Sequence, residues 1–139
     1  MPSALNATAL DRCRCFGFAR ALLRTPAAEA VGQRLFDSWQ TLHAPHLLDV
    51  EVAQVIRRYV AAGDVSEERG RAVLADLHDF PLHRYPDGFL LPRVWQLRNN
   101  LTAYDAVYVA LAEALDAPLL TRDRRLAAAA GHHARVDLV

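Results

Sequence analysis

The 139-residue chain carries 16 basic and 16 acidic side chains, so its formal net charge is zero and the molecule as a whole is not attracted to nucleic acid. Hydrophobic residues make up 53% and charged residues 23%, which is typical of a globular protein and excludes a disordered one. No apolar run approaches the ~20 residues of a membrane span, and no basic start precedes an apolar stretch. We therefore expect one cytoplasmic domain over residues 1–139, with no membrane association.

The first predicted elements follow the unusual stretch "RCRCFGFAR". The sequence predicts a helix over 24–40, which Thr25 can cap. A short extended stretch, "TLHAP", follows at 41–45. The next pattern predicts a second helix over 46–63, which Gly63 ends.

The middle of the chain repeats this alternation. Ser66 is predicted to cap a helix over 67–79, and "PLHRYP" at 81–86 predicts a short strand. A further helix is predicted over 90–100, with a pair of asparagines at its end.

The last third contains the most regular helix, predicted over 102–116 with Thr102 as its cap. The apolar "APLLT" at 117–121 predicts a fully buried strand, and a turn and short helix over 122–131 lead to a last strand over 133–139. Helices that alternate with short buried strands indicate an α/β protein with a parallel sheet covered by helices.

Three carboxylates stand where this pattern does not expect charge. Glu51 lies on or beside the apolar stripe of its helix, Asp105 lies on the most regular helix, and Asp123 closely follows a buried strand. An ionised carboxylate near an apolar stripe is costly unless something compensates it. A salt bridge to arginine is one compensation. A divalent cation is the other, since Mg²⁺ and Mn²⁺ prefer oxygen ligands and sites in parallel sheets lie beyond the carboxyl ends of strands.

Three segments carry a family resemblance: "APHLLDVEVAQVIRR" with Glu51, "LTAYDAVYVALAEAL" with Asp105, and "APLLTRDRRLA" with Asp123. In order and spacing they resemble the PIN-domain toxin ribonucleases of the VapC type. The resemblance implies a three-layer α/β/α fold on a parallel sheet and a Mg²⁺- or Mn²⁺-dependent endoribonuclease that leaves a 5′-phosphate and a 3′-hydroxyl. It also implies that these three acids are the catalytic and metal-binding residues.

The arginines beside Asp123 are candidate contacts to the RNA backbone. Arg122, Arg124 and Arg125 are placed to bind substrate phosphates if the site is a nuclease, because guanidinium groups bind phosphate in bidentate fashion. A solvated surface explains them equally well.

The resemblance also implies partners. Family members pair with a small antitoxin that blocks the site, and we expect a homodimer. Phe36 and Trp39, on the helix predicted over 24–40, are candidates for a groove that receives the antitoxin, although a core position would explain both.

One feature of the family is missing. Its members have a further aspartate at the end of the first strand, in a "D-x-S/T-A-L"-like motif, whereas "RCRCFGFAR" holds no acid there. Asp11 is the nearest acid and the remaining candidate metal ligand, but its surroundings do not match the motif.

A shift of reading frame would account for the missing acid. Residues 12–18 can be encoded by the codons CGC TGT CGA TGC TTC GGC TTT, and this choice, read one base later, gives Ala-Val-Asp-Ala-Ser-Ala, with the aspartate in the place of Arg14. We therefore hypothesise that residues 1 to about 20 are a frame-shifted form of a normal first strand. Sequencing the DNA of this stretch tests the hypothesis.

Two alternatives to an active nuclease follow from the sequence. A chain without the first-strand acid could be catalytically impaired and only dimerise and bind an antitoxin. A metal-dependent phosphohydrolase on a similar sheet would need a phosphate-cradling loop after its first strand, and the sequence has no Gly-rich loop of that kind.

Overall fold

The computed structural model describes residues 7–10 and 41–138. Within them lie five strands, namely β1 (Ala7–Leu10), β2 (Thr41–Pro45), β3 (Leu82–Tyr85), β4 (Leu119–Thr121) and β5 (Val136–Leu138). They form one sheet in the order β3-β2-β1-β4-β5, and every neighbouring pair is parallel. The predicted parallel sheet is therefore confirmed.

Helices fill the connections between the strands. In the described part of the chain they are α1 (Leu47–Ala61), α2 (Glu67–Asp79), α3 (Leu91–Gln96), α4 (Ala103–Leu115) and α5 (Arg124–Ala128), with a 3-10 helix at Asp87–Leu90. None of the helices within 41–138 is long and apolar enough to span a membrane.

Both faces of the sheet are covered. All three residues of β4 are buried, as are the last four residues of β2, so neither face of these strands meets solvent. The chain moves one way along the sheet from β2 to β3 and the other way from β3 to β4. Because crossovers between parallel strands are right-handed, α1 and α2 lie on one face, and α3 and α4 lie on the other. The result is the predicted three-layer α/β/α fold.

Local sequence signals set the ends of most helices. Ser66 caps α2 by accepting the backbone N–H of Arg69, and Thr102 caps α4 by accepting that of Asp105, as predicted. Gly63 follows the end of α1 with φ +79, a left-handed conformation that glycine adopts without strain.

Two predicted helices are shorter than expected. The helix predicted over 90–100 ends at Gln96, because Arg98 and Asn100 donate to carbonyls three residues back, which is the tighter 3-10 pattern. The helix predicted over 122–131 ends at Ala128, because Ala129 is extended with ψ 137.

The pair formed by Arg93 and Glu113 joins α3 to α4. The Arg93 guanidinium donates to both oxygens of the Glu113 carboxylate, at 2.7 and 3.0 Å. Burial pushes the pKa of Glu113 up, but the hydrogen bond from Arg93 and one from the backbone N–H of His133 outweigh it, so this pKa lies below its ordinary value. The carboxylate of Glu113 is therefore compensated by arginine, as the salt-bridge explanation of buried acids requires.

The described N-terminal residues, 7–10, form a strand that the sequence pattern did not predict. The sequence pattern assigned no strand to "ATAL", yet β1 (Ala7–Leu10) lies at the centre of the sheet, between β2 and β4. Residues 11–40, with the helix predicted over 24–40, lie outside the described residues. That the whole chain is a single domain stays a prediction.

Candidate active site

The order of the strands reverses at the neighbouring pair β1 and β4, so that later strands lie on both sides of β1. From β1 the chain proceeds outward to β2 and then β3 on one side, whereas β4 and β5 lie on the other side. The two neighbouring strands are in register, with Leu10 opposite Leu120. In open parallel sheets, the carboxyl ends of strands at such a switch point form the ligand-binding crevice. A site is therefore expected at this edge.

Glu51 reaches this edge from α1, the helix that begins directly after β2. The side chain is half-buried, and its Oε2 atom accepts a hydrogen bond of 2.6 Å from the phenol of Tyr108. Tyr108 belongs to α4 and is fully buried, so the bond joins two separate helices. A hydrogen bond from a phenol is therefore one of the interactions that offset the partial burial of the Glu51 carboxylate.

Asp105 lies in the first turn of α4. Its backbone N–H donates to the hydroxyl of Thr102 at 3.2 Å, and that hydroxyl donates to Asp105 Oδ2 at 2.9 Å. The first bond is an N-cap, and an acid in the first turn also suits the helix dipole. Only Asp116, Ala117 and Pro118 separate the end of α4 from β4. Because α4 runs back along the sheet, its first turn lies at the carboxyl edge.

Asp123 follows β4 after a single residue and caps α5. Its Oδ1 atom accepts the backbone N–H groups of Arg125, at 2.8 Å, and Leu126, at 3.3 Å. Its own N–H donates to the hydroxyl of the fully buried Thr121 at 2.9 Å. These bonds hold the carboxylate at the end of the strand.

The three acids thus come from elements that meet at the carboxyl edge of the sheet. Tyr108 relates two of them, because it donates a hydrogen bond to Glu51 and lies three residues after Asp105 on α4. The three acids do not form a closed metal cage: among residues 7–10 and 41–138, no group of three His, Cys, Asp or Glu side chains has the geometry to hold a metal ion. Their chemistry nevertheless fits Mg²⁺ or Mn²⁺, because Mg²⁺ keeps several waters and usually takes only one or two protein carboxylates. Their role as ligands stays a prediction.

The remaining predicted site residues divide into two groups. Arg122, Arg124 and Arg125 are exposed, which suits both phosphate binding and a solvated surface. Asp11 is the residue after Leu10 in the sequence, and it lies outside the described residues, as does Arg14.

A polar cluster on β2 and β3 was not predicted from the sequence. His43 is 2% exposed, its Nδ1 atom is 2.9 Å from the Tyr85 hydroxyl, and its Nε2 atom is 2.9 Å from the Thr41 hydroxyl. Its ring stacks on that of His83, with centroids 4.8 Å apart. Burial, and then the charge of His83, lower the pKa of His43. The matching patterns "T-L-H" and "H-R-Y" were the available signal, but only the register of the two strands brings them together.

Tyr108 was also not identified from the sequence as a candidate site residue. It lies three residues after Asp105, and residues with that spacing share a face of a helix. The spacing was visible in the sequence, whereas the contact with Glu51 on another helix was not.

Comparisons with known proteins point to one family. Residues 18–132 match the model of the PIN domain. Ribonuclease VapC1 of Mycobacterium tuberculosis is 53% identical over 98 residues, which cover 70% of this chain and 74% of the relative. Ribonuclease VapC12 of the same organism is 42% identical over 118 residues, which cover 85% of this chain and 90% of the relative.

The fold has a solved counterpart. The structure of VapBC2 from Rickettsia felis, bound to a DNA fragment from their promoter, includes a chain that superimposes with a TM-score of 0.66. The match covers 95% of this chain and 98% of that one at 13% identity, and so it concerns the fold alone.

Proposed function

Because the chain belongs to the PIN-domain family and, within it, to the VapC type, we propose that it is the toxin of a toxin–antitoxin pair and a Mg²⁺- or Mn²⁺-dependent endoribonuclease. The observation that carries the proposal is the position of three acids. Glu51, Asp105 and Asp123 all belong to elements that begin or end at the carboxyl edge of the sheet. Relatives that are named ribonucleases support the reaction.

The cation would be held by Glu51, Asp105 and Asp123, with Asp11 as the fourth candidate. When bound, it would lower the pKa of a water and stabilise the charge that develops on the phosphoryl oxygens. Carboxylates suit this task because each one supplies hard oxygen ligands and a negative charge.

The protein's own contribution is to hold these groups before RNA arrives. Thr102 orients Asp105 through two hydrogen bonds, and the first amides of α5 orient Asp123. Preorganised groups of this kind spend no energy on reorganisation during the reaction. The exposed Arg122, Arg124 and Arg125 would bind substrate phosphates next to Asp123 and so position the RNA backbone.

The proposed partners are a small antitoxin and a second copy of the chain. Membership of the VapC type, whose members pair with a small antitoxin, supports the first of these partners. Phe36 and Trp39 are the proposed apolar contacts for an antitoxin segment. Sedimentation at micromolar concentration tests both partners. We expect a dimer that binds the antitoxin, and a monomer whose sedimentation the antitoxin does not change would contradict the assignment.

A second candidate function is favoured by one observation. The stretch "RCRCFGFAR" lacks the first-strand acid of the family, and the PIN match begins only at residue 18. A chain that has lost this ligand would dimerise and bind its antitoxin without cutting RNA efficiently.

Cleavage of total RNA by the purified chain tests the main proposal. We expect cleavage with Mg²⁺ or Mn²⁺, none with EDTA, and 5′-phosphate ends. Asp105→Asn preserves a side-chain acceptor for Thr102 but removes the charge. It should slow cleavage by about 100-fold or more, because loss of a metal ligand forfeits several kcal/mol of transition-state stabilisation.

Asp76→Asn is the matched control, because Asp76 is exposed on α2 and has no proposed role. It should leave the rate unchanged. Cleavage that persists in EDTA, or that survives Asp105→Asn, would contradict the proposed mechanism. Antitoxin binding without any cleavage would favour the second candidate.

A further inference from the structure

We propose that Tyr108 is a positioning residue that holds the Glu51 carboxylate at the carboxyl edge of the sheet in the orientation that a metal ligand needs. The inference rests on the proposed metal site. It begins from one contact: the phenol of Tyr108 donates to Glu51 Oε2 at 2.6 Å, between residues 57 positions apart in the sequence.

The donor of this bond is itself immobile. Tyr108 is 0% exposed, and it lies within a run of seven consecutive buried residues of α4, 106–112. A ring packed in this way cannot turn its hydroxyl toward solvent, and a buried phenol usually has a hydrogen-bond partner. The position of the hydroxyl is therefore set by the core.

The acceptor has more freedom of its own. Glu51 is half-buried near the start of α1, and a glutamate side chain has several rotatable bonds. A hydrogen bond to an ionised carboxylate is shorter and stronger than one between neutral groups, and 2.6 Å is within the range of such bonds. The fixed phenol therefore selects one orientation of a flexible acid.

The same contact relates two acids on different helices. Tyr108 lies three residues after Asp105 on α4, and the Thr102 cap fixes the start of that helix. A hydrogen bond from Tyr108 to Glu51 therefore sets the position of the α1 acid relative to the α4 acid. A bond to a neutral phenol also leaves the negative charge of the carboxylate intact, as a cation ligand requires.

A purely structural role would explain the burial of Tyr108 but not a dependence of metal binding on its hydroxyl. The test compares Tyr108→Phe with Tyr85→Phe. Both remove only a phenol oxygen, and Tyr85 bonds to His43 rather than to an acid. Binding of Mn²⁺ to the purified chain, followed by electron paramagnetic resonance, is the readout, so cleavage is not needed.

We expect Tyr108→Phe to weaken Mn²⁺ binding by about 10-fold or more, as is usual when the partner of a metal ligand is lost, and Tyr85→Phe to leave it unchanged. In a Glu51→Gln background, Tyr108→Phe should cause no further loss, because the hydroxyl acts through Glu51. Equal losses from the two Tyr→Phe variants would show a general effect on the fold and overturn the inference.

A crystal structure of metal-free Tyr108→Phe separates this inference from the proposed function. We expect the Glu51 carboxylate to leave its observed position, whereas an unmoved carboxylate would overturn the inference. If the unaltered chain binds no Mn²⁺ even at millimolar concentration, the proposed metal site fails. The positioning of Glu51 by Tyr108 is then decided by the crystal structure alone.

Discussion

His43 illustrates what burial does to a single ionisable residue. The ring is 2% exposed, it contacts Thr41 and Tyr85 through its two nitrogens, and it stacks on His83. Burial first, and the nearby His83 second, lower the pKa of His43 from the ordinary value of 6.5. The folded protein therefore keeps this histidine neutral at pH values at which the unfolded chain protonates it.

The first prediction is that acid destabilises the fold through His43. Since its pKa is lowered on folding, the contribution of His43 to stability is complete above pH 6.5 and declines as the pH falls below that value. Urea unfolding should give a lower midpoint at about pH 5.5 than at about pH 7.5, and His43→Gln should reduce this difference.

His78→Gln provides the control for that measurement, because His78 is exposed on α2. It should retain the pH dependence of the unaltered chain. If His43→Gln and the unaltered chain show the same dependence on pH, another group is responsible.

At the scale of elements, the start of α4 combines stability with function. The Thr102 hydroxyl caps the helix and also donates to the Asp105 carboxylate. The Ser66 hydroxyl caps α2 in the same way, but it bonds to the backbone of Arg69 on a helix without a proposed site residue. Among the helices within 41–138, these two hydroxyl caps therefore have similar chemistry, and one of them touches a candidate catalytic acid.

The second prediction uses this pair. Thr102→Ala and Ser66→Ala should each lower the free energy of unfolding by about 1 kcal/mol, the usual effect of losing an N-cap. Only Thr102→Ala should also slow RNA cleavage, because only it releases a side chain of the site. Thermal melts and cleavage assays on the two variants make the comparison. An equal effect on cleavage would show that general stability, rather than the orientation of Asp105, governs the rate.

At the scale of the whole molecule, the central strand determines how the site is completed. β1 lies between β2, which leads to Glu51, and β4, which leads to Asp123. An acid that follows β1 would therefore extend from the middle of the same edge. The sequence offers Asp11 directly after Leu10, and Arg14 in the place to which the frame-shift hypothesis assigns the family aspartate.

The third prediction concerns this missing acid. A chain in which residues 12–17 are replaced by Ala-Val-Asp-Ala-Ser-Ala should bind Mg²⁺ more tightly and cut RNA far faster than the unaltered chain. The replacement adds a ligand and removes the positive charge of Arg14, and both changes favour a bound cation. Paired cleavage assays across a Mg²⁺ titration measure the effect.

Asp11→Asn in both backgrounds is the companion variant. It should have no effect on the restored chain. Equal rates from the restored and unaltered chains would show that the first-strand acid is dispensable or that Asp11 replaces it, and a loss caused by Asp11→Asn in the unaltered chain would identify the second case.

Some features of this protein follow from the sequence alone because their causes are local. The caps at Ser66 and Thr102 involve partners three residues away, and Gly63 ends a helix through its own conformational freedom. The parallel α/β fold follows from the alternation of apolar strands and amphipathic helices, and the family from three short segments with Glu51, Asp105 and Asp123.

Other features were decided only by the tertiary structure. The strand "ATAL" has no distinctive pattern, and its central place depends on pairing with strands far along the chain. The bonds of Tyr108 to Glu51 and of Tyr85 to His43 join residues 57 and 42 positions apart. Such contacts depend on strand register and on how helices pack across the sheet, and neither property is encoded in the periodicity of a single segment.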